Sequence, residues 1–167
     1  MSQVFLSLGS NLGKREENLN VCLNKLSGHF GQALSSSSIY ESEAWGFDAE
    51  PFLNQVLIFN TNMNPESLLK EVLAIENEMG RKRSKDGYQS RIIDIDILFY
   101  DTIIYKTDNL EIPHPLLQKR KFILEALNEI SSEFIHPVIK LSISDIYLNC
   151  IDKSYVKKYK SQYPYDI

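Results

Sequence analysis

The sequence predicts a mixed α/β fold of the α+β kind, with a mainly antiparallel sheet, an added hairpin and C-terminal helices. Strand-like runs at residues 3–8 and 51–60 each precede a stretch of helical apolar spacing, beginning near Glu16 and Asn64. A further strand-like segment lies between the first helix and the second run. Two strands in succession without an intervening helix argue against a parallel doubly wound sheet, and the order β-α-β-β-α-β is that of a ferredoxin-like core.

The elements follow in chain order. Residues 3–8 form the first strand, and "GSNLG" breaks it with Gly9 and Gly13 before a polar helix start. From Glu16 the spacing of Leu19, Leu23, Leu26 and Phe30 gives a helix one apolar face. "ALSSSSIYES" is polar and reads as an edge strand, joined to the next by "EAWGFDAE", a loop whose Trp45 and Phe47 look exposed. In "PFLNQVLIFN", Phe52, Asn54, Val56 and Ile58 share one face of a strand and Leu53, Gln55, Leu57 and Phe59 the other.

Asn64 as N-cap and Pro65 at the first helical position start the second helix. Its buried face is expected to carry Leu69, Val72, Leu73 and Met79, with the carboxylate Glu76 on the same stripe. A polar loop, "GRKRSKDGYQS", leads into a strand read as residues 91–100, "RIIDIDILFY". "DTIIYKTDNLEIPHPLL" supplies a hairpin ending at the rigid corner Pro113-His114-Pro115. A third helix is expected from about Leu117 to Ile130, and a fourth from Ser142, which makes a capping-box spacing with Asp145. The tyrosine-rich tail reads equally as a docked extension or a frayed end. A single domain over residues 1–160 with a tail at 161–167 is the expectation, since no linker, repeat or low-complexity stretch divides the chain.

The 167 residues carry a formal charge of -4, with 18 Lys and Arg against 22 Asp and Glu, so the overall field does not attract a polyanion. Nucleic-acid binding is not expected. Cys22 and Cys150 have no paired spacing and read as free thiols. No stretch approaches the roughly 18 apolar residues of a membrane span, and no signal-peptide pattern opens the chain, so a cytoplasmic protein is expected. It is expected to act as a monomer.

Asp94 and Asp96 interrupt an otherwise apolar strand. Alternation puts Ile93, Ile95, Ile97 and Phe99 on one face, and Asp94, Asp96, Leu98 and Tyr100 on the other. Residues two apart are separated by roughly 6.6–6.8 Å along a strand, so the two carboxylates can converge on one ion or a metal pair. Left ionised and unpaired among apolar neighbours, they would repel each other and drive one towards protonation. A hard cation resolves this. Mg²⁺ suits the pair, because it takes a few carboxylates and completes its shell with waters and phosphate oxygens.

The preceding loop contributes Arg81, Lys82, Arg83, Lys85 and Arg91 against Asp86 alone. Cations beside a metal-binding carboxylate pair are what phosphoryl transfer requires, since the transferring and leaving groups both carry negative charge. Of these, Arg91 lies nearest the strand, and Arg81 and Arg83 read as clamps on a loop that closes over nucleotide. Alone, the loop also reads as a solvated charge run or, with Tyr88, a nucleic-acid contact. No GxxxxGK[ST] loop is present.

Taken together, "GSNLG", "YES" at residues 40–42, "FLNQV" at 52–56, "GRKR" at 80–83, "RIIDIDILF" at 91–99, "IPHP" at 112–115 and "RKFILEAL" at 120–127 make the chain resemble the 6-hydroxymethyl-7,8-dihydropterin pyrophosphokinase family of folate biosynthesis. The resemblance implies a ferredoxin-like core and transfer of pyrophosphate from ATP to the pterin hydroxymethyl oxygen, giving AMP and the pterin diphosphate. It implies that Asp94 and Asp96 hold two Mg²⁺ ions, while Arg81 and Arg91 contact the phosphates and assist transfer. ATP is expected to meet Arg83, Tyr88, Ile97, His114 and Arg120, with Glu76 near its adenosine portion. The pterin ring is implied to lie between Phe52 and Phe122 with its polar edge on Asn54, beside Ser42, Glu43 and Trp45.

Three departures from the family pattern fall at the loop and the nucleotide side. Tyr88 stands where Trp is common, one arginine of the usual loop is absent, and Glu111 replaces a small polar residue. A metal-dependent hydrolase or nucleotidyltransferase on the same two-metal patch, and a nonenzymatic ferredoxin-like nucleic-acid module, are the alternatives.

Overall fold

The structure is a computed structural model, and it describes residues 1–85 and 87–162. Asp86 and residues 163–167, most of the expected tail, lie outside the described residues.

β1 (Ser2–Ser10) runs between β4 (Phe52–Thr61) and β5 (Asp94–Tyr100), antiparallel to both. β2 (Ser35–Ser36) and β3 (Tyr40–Ser42) pair with the far side of β4, and β8 (Val156–Lys158) adds to β3, so the sheet reads β5-β1-β4-β3-β8. With β2 and β3 counted as one interrupted strand, this is the strand order of a ferredoxin-like core. Its connections run through α1 (Arg15–Phe30) and α2 (Pro65–Glu78). α3 (Lys121–Ser131) and α4 (Ile143–Leu148) follow the hairpin of β6 (Tyr105–Lys106) and β7 (Glu111–Ile112).

The alternation of side chains sorts the core into two layers. Val4, Leu6 and Leu8 of β1 pack with Leu53, Leu57 and Phe59 of β4 against α1 and α2. On the opposite face Phe5, Val56, Ile58 and Phe99 pack against α3 and α4. Phe5, Phe99 and Phe134 form an aromatic cluster there, with ring centroids 4.7–5.5 Å apart. Beyond Phe5 that face of β1 continues only with Ser7 and Gly9, which are too small to fill it. A depression is therefore left at one end of the sheet, under the start of α3.

Several expectations need correction. The polar edge strand is split, because Ser37 bonds to Val56 through both its backbone N–H and its side-chain oxygen, interrupting the ladder between β2 and β3. β5 begins at Asp94 rather than residue 91, and its alternation does not run unbroken. Phe5 pairs with Phe99 but Leu6 with Ile97, so Leu98 is an extra residue in the ladder. The bulge turns Phe99 to the face shared with Phe5 and sends Tyr100 to the α1/α2 side.

α2 buries Leu68, Val72, Ile75 and Glu76, one position out of phase with the predicted Leu69 and Leu73, which are half-buried. Its start is as expected, with Asn64 Oδ1 accepting the Ser67 N–H at 2.9 Å and Pro65 in the first turn. The expected third helix is a 3-10 turn (Leu117–Lys119), then extended Arg120, then α3. Ser142 caps α4 by accepting the Asp145 N–H. The described part of the tail docks, through β8 and the contacts of Ser161 and Gln162 with Glu16. Both cysteines are free, and Cys22 lies buried in α1. No helix among the described residues is long and apolar enough to cross a membrane.

Candidate active site

The depression on the sheet is the floor of a cleft of about 180 Å³. One row across three strands sets its chemistry, because Gly9 of β1 stands opposite Asn54 of β4 on one side and Asp94 of β5 on the other. Ser7 likewise stands opposite Asp96. A Cβ on Gly9 would lie 3.4 Å from the Phe52 ring and 3.6 Å from Asn54 Oδ1, so any larger residue would project into the space between amide and carboxylate.

Asn54 is 4 % exposed, and its orientation is fixed. Its Nδ2 donates to Ser42 Oγ at 2.8 Å and to the Tyr40 carbonyl at 3.1 Å. Both amide hydrogens are thereby used, and Oδ1 is left as the acceptor facing the cleft. Phe52 and Phe122 line the cleft from β4 and from the first turn of α3. Glu43 lines its rim, with one carboxylate oxygen accepting the Tyr155 N–H from the C-terminal segment at 2.7 Å.

The two aspartates differ electrostatically. Asp94 accepts from Arg81 Nη1 at 2.5 Å through one oxygen and from Arg91 Nη1 at 3.0 Å through the other. Among the described residues, Asp96 has one guanidinium nearby, Arg120 at 3.8 Å, and the imidazole Nε2 of His114 at 3.9 Å. Burial and the neighbouring Asp94 charge push its carboxyl up to about 7. Glu76, 1 % exposed, underpins the arginines. It accepts from Arg81 Nη1, from Arg83 Nη2 at 2.7 Å and from the Ile95 N–H at 2.8 Å, tying the loop after α2 to the edge of β5.

Two loops roof the cleft, and their aromatic residues meet. Tyr88 stacks on Phe47 with centroids 6.2 Å apart and planes 9° apart, and meets Trp45 edge-on at 6.1 Å. Trp45 and Phe47 are half-buried by this packing rather than exposed. Arg120 lies over the Trp45 ring at 4.7 Å, and its Nη2 donates to Tyr88 Oη at 3.4 Å. Its buried Nε has no hydrogen-bond partner among the described residues.

His114 is held by its backbone N–H, which donates to the Leu98 carbonyl at the bulge, and by Nδ1, which accepts the Leu116 N–H at 3.1 Å. The proton therefore resides on Nε2, the nitrogen facing Asp96. Burial and the Arg120 charge push this imidazole down to about 4, so it is neutral at physiological pH.

A second, larger groove of about 880 Å³ runs along the open edge of β5, walled by Leu69 and Leu73 of α2 on one side and the β6–β7 hairpin on the other. Asp96, Arg83 and His114 line both spaces. Ile95 turns its N–H outward to Glu76, and strand parity turns the backbone of Ile97 outward into the groove as well. Leu73, with the half-buried Leu69 that also packs on the core, thus forms one wall of the groove.

The sequence profile of the 7,8-dihydro-6-hydroxymethylpterin-pyrophosphokinase (HPPK) family matches residues 5–132. The chain belongs to this family. It is 41% identical over 147 residues to the 2-amino-4-hydroxy-6-hydroxymethyldihydropteridine pyrophosphokinase of Aquifex aeolicus, covering 87% of this chain and 90% of that relative. It is 39% identical over 150 residues to the folic acid synthesis protein fol1 of Pneumocystis carinii, covering 89% of this chain and 20% of that protein. The chain thus spans about a fifth of the length of the fungal relative. A crystal structure of wild-type Plasmodium falciparum HPPK-DHPS with pteroate shares the fold at a TM-score of 0.70 and 17% identity, over 88% of this chain and 44% of that one.

Relative to this HPPK-family frame, the site residues read from the sequence converge. All line the cleft except Ile97, which lines the groove, and Glu76, which lies beneath both arginines. One residue escaped the sequence reading. Asn11, 3 % exposed, bonds to both roof loops through its side chain. The signal was present in "GSNLG", but an asparagine between glycines reads first as a turn former.

Proposed function

We propose that this chain transfers the pyrophosphoryl group of ATP to the hydroxymethyl oxygen of 6-hydroxymethyl-7,8-dihydropterin, yielding AMP and the pterin diphosphate for folate synthesis. The observation that carries this reading is the position of Asp96, at the junction of an amide-floored aromatic cleft and an open groove. Family membership supports it, as does the pyrophosphokinase activity for which the Aquifex relative is named. We take residues 1–160 as one pyrophosphokinase domain.

The site fits Mg²⁺. Among the described residues no group of three or more His, Cys, Asp and Glu side chains forms a ready-made cage. The protein offers two carboxylates on one rigid strand, one of them short of positive charge, and such a set suits a metal that takes its other ligands from phosphate and water. Asp94 and Asp96 would hold two such ions. Bound there, they would neutralise phosphate charge and acidify the pterin hydroxyl.

The chain's own groups supply orientation and charge. Phe52 and Phe122 offer apolar surface to the two faces of the pterin, and Asn54 Oδ1 accepts from its amide edge. The outward backbone of Ile97 and the walls of the groove take the adenine, while Arg83, Tyr88 and Arg120 meet the phosphates. Transfer forms a bond from the hydroxymethyl oxygen to the β-phosphorus and breaks the bond from that phosphorus to the oxygen bridging α and β, which leaves with AMP. Arg81 and Arg91, already gathered on Asp94, offset the charge developing on the bridging and leaving oxygens. His114, neutral and protonated at Nε2, donates rather than acting as a base. The hydroxyl proton passes to water.

Incubating the protein with Mg·ATP and the hydroxymethyl pterin tests this. AMP and pterin diphosphate in equal amounts, with none formed when the pterin is omitted, is the expected result. Pterin-independent phosphate release would instead show a hydrolase, and metal-free oligonucleotide binding without turnover would show a nucleic-acid module.

A further inference from the structure

Asn11 has no place in the chemistry above, yet it makes four hydrogen bonds that converge on the two loops roofing the cleft. Its backbone N–H donates to the Arg91 carbonyl at 3.1 Å, and its Oδ1 accepts the Arg91 N–H at 2.7 Å. Its Nδ2 donates at 3.1 Å to Ser90 Oγ in the same loop and at 3.1 Å to the Glu50 carbonyl, at the base of the loop that carries Trp45 and Phe47. One buried amide thus ties the nucleotide-side loop to the pterin-side loop at their roots. At their tips the same loops meet through Tyr88, Phe47 and Trp45.

Resting on the pyrophosphokinase reading, we propose that Asn11 is the positioning residue through which the nucleotide and pterin sites sense each other. Arg91 is the last cation before β5 and bonds Asp94, so a movement of this segment towards phosphate that carries the Arg91 backbone is passed to Asn11, which holds its N–H and C=O. The Glu50 carbonyl shares that amide, so the displacement reaches the pterin-side loop directly. Binding on one side then sets the loop on the other before its ligand arrives, which is a coupling free energy between sites.

Asn11→Asp isolates the bridge. It keeps the acceptor for the Arg91 N–H, and Ser90 Oγ can turn to donate to it, but an oxygen now faces the Glu50 carbonyl and that bond is lost. The base of the pterin-side loop stays attached, because Arg15 Nη1 donates to the Pro51 carbonyl at 2.9 Å. The experiment is equilibrium binding of a non-hydrolysable ATP analogue with Mg²⁺, with and without saturating hydroxymethyl pterin. In the unaltered protein the pterin is expected to tighten the analogue by about tenfold or more, and in Asn11→Asp by less than about threefold. Hydrogen exchange on the unaltered chain gives a second reading, in which the analogue alone slows exchange in residues 44–50.

An undiminished coupling factor in Asn11→Asp would overturn the inference, and so would equal weakening of both ligands with the factor intact. Unchanged exchange in residues 44–50 when the analogue binds would overturn it even if the variant fails to fold. Failure of the unaltered chain to bind pterin or nucleotide at all is a different result, since it removes the pyrophosphokinase reading itself.

Discussion

Asp94 holds two arginines at 2.5 and 3.0 Å while the guanidinium nearest Asp96 among the described residues is Arg120 at 3.8 Å, and this asymmetry separates their contributions to stability and to turnover. A carboxyl raised in the folded state favours folding most when protonated, and loses that advantage as pH rises through its folded value near 7. Above neutral pH the ligand-free protein therefore bears a partly desolvated charge whose nearest guanidinium, among the described residues, is 3.8 Å away. Asp96→Asn removes the charge at nearly constant volume. At pH 8 the metal-free variant is expected to melt no lower than the wild type, by calorimetry, while turnover falls by roughly a thousandfold or more. A lowered Tm together with near-normal turnover would contradict this account of Asp96. At this scale the carboxylates and arginines were legible because charge inside an apolar strand has few structural uses. Asn11 was not, because its partners lie 39 and 80 residues away in the chain.

Among the elements, α3 does more than cover the sheet. Its Glu129 reaches across to the interrupted edge strand, accepting from the Ser38 N–H, Ser38 Oγ and Tyr40 Oη. Burial alone would raise this carboxyl, but the hydrogen bonds outweigh it and hold the group below the ordinary glutamate range. A depressed acid contributes stability that is present above its unfolded pKa and is lost as pH falls through the folded one. Glu129→Gln is therefore expected to lower stability by about 1 kcal/mol at pH 7, small because solvent screens the exposed carboxylate. Thermal melts should show the gap closing below about pH 4. A gap independent of pH would mean that packing, not ionisation, is what Glu129 supplies.

Element types were read well where periodicity was long, as in α1, β4 and β5. The errors have local causes. Strict alternation misplaced Phe99, because a bulge at Leu98 is invisible in a continuous apolar run. The phase of α2 was misjudged because Leu68, Leu69, Val72, Leu73 and Ile75 offer two overlapping stripes, and only the sheet decides which is core.

For the molecule as a whole, the fold places two unlike cavities on either side of one strand end. The cleft, of about 180 Å³, is the smaller of the two and is walled by Phe52, Phe122, Asn54 and the roof residues Trp45, Phe47 and Tyr88. The groove is larger and follows the open edge of β5. The order of strands was legible in the sequence, and so was the family. That the cleft and the groove meet at Asp96 was not, because it depends on the phase in which α2 packs on the sheet, which leaves Leu69 and Leu73 half-buried at the groove.

The most direct measurement locates the metal. Crystals grown with Mn²⁺ in place of Mg²⁺ and with a non-hydrolysable ATP analogue, read by anomalous scattering, are expected to show metal bound to the carboxylates of Asp94 and Asp96, with the triphosphate lying from the groove towards the cleft. Nucleotide bound with both carboxylates still turned to Arg81, Arg91 and solvent, and no metal between them, would contradict the account.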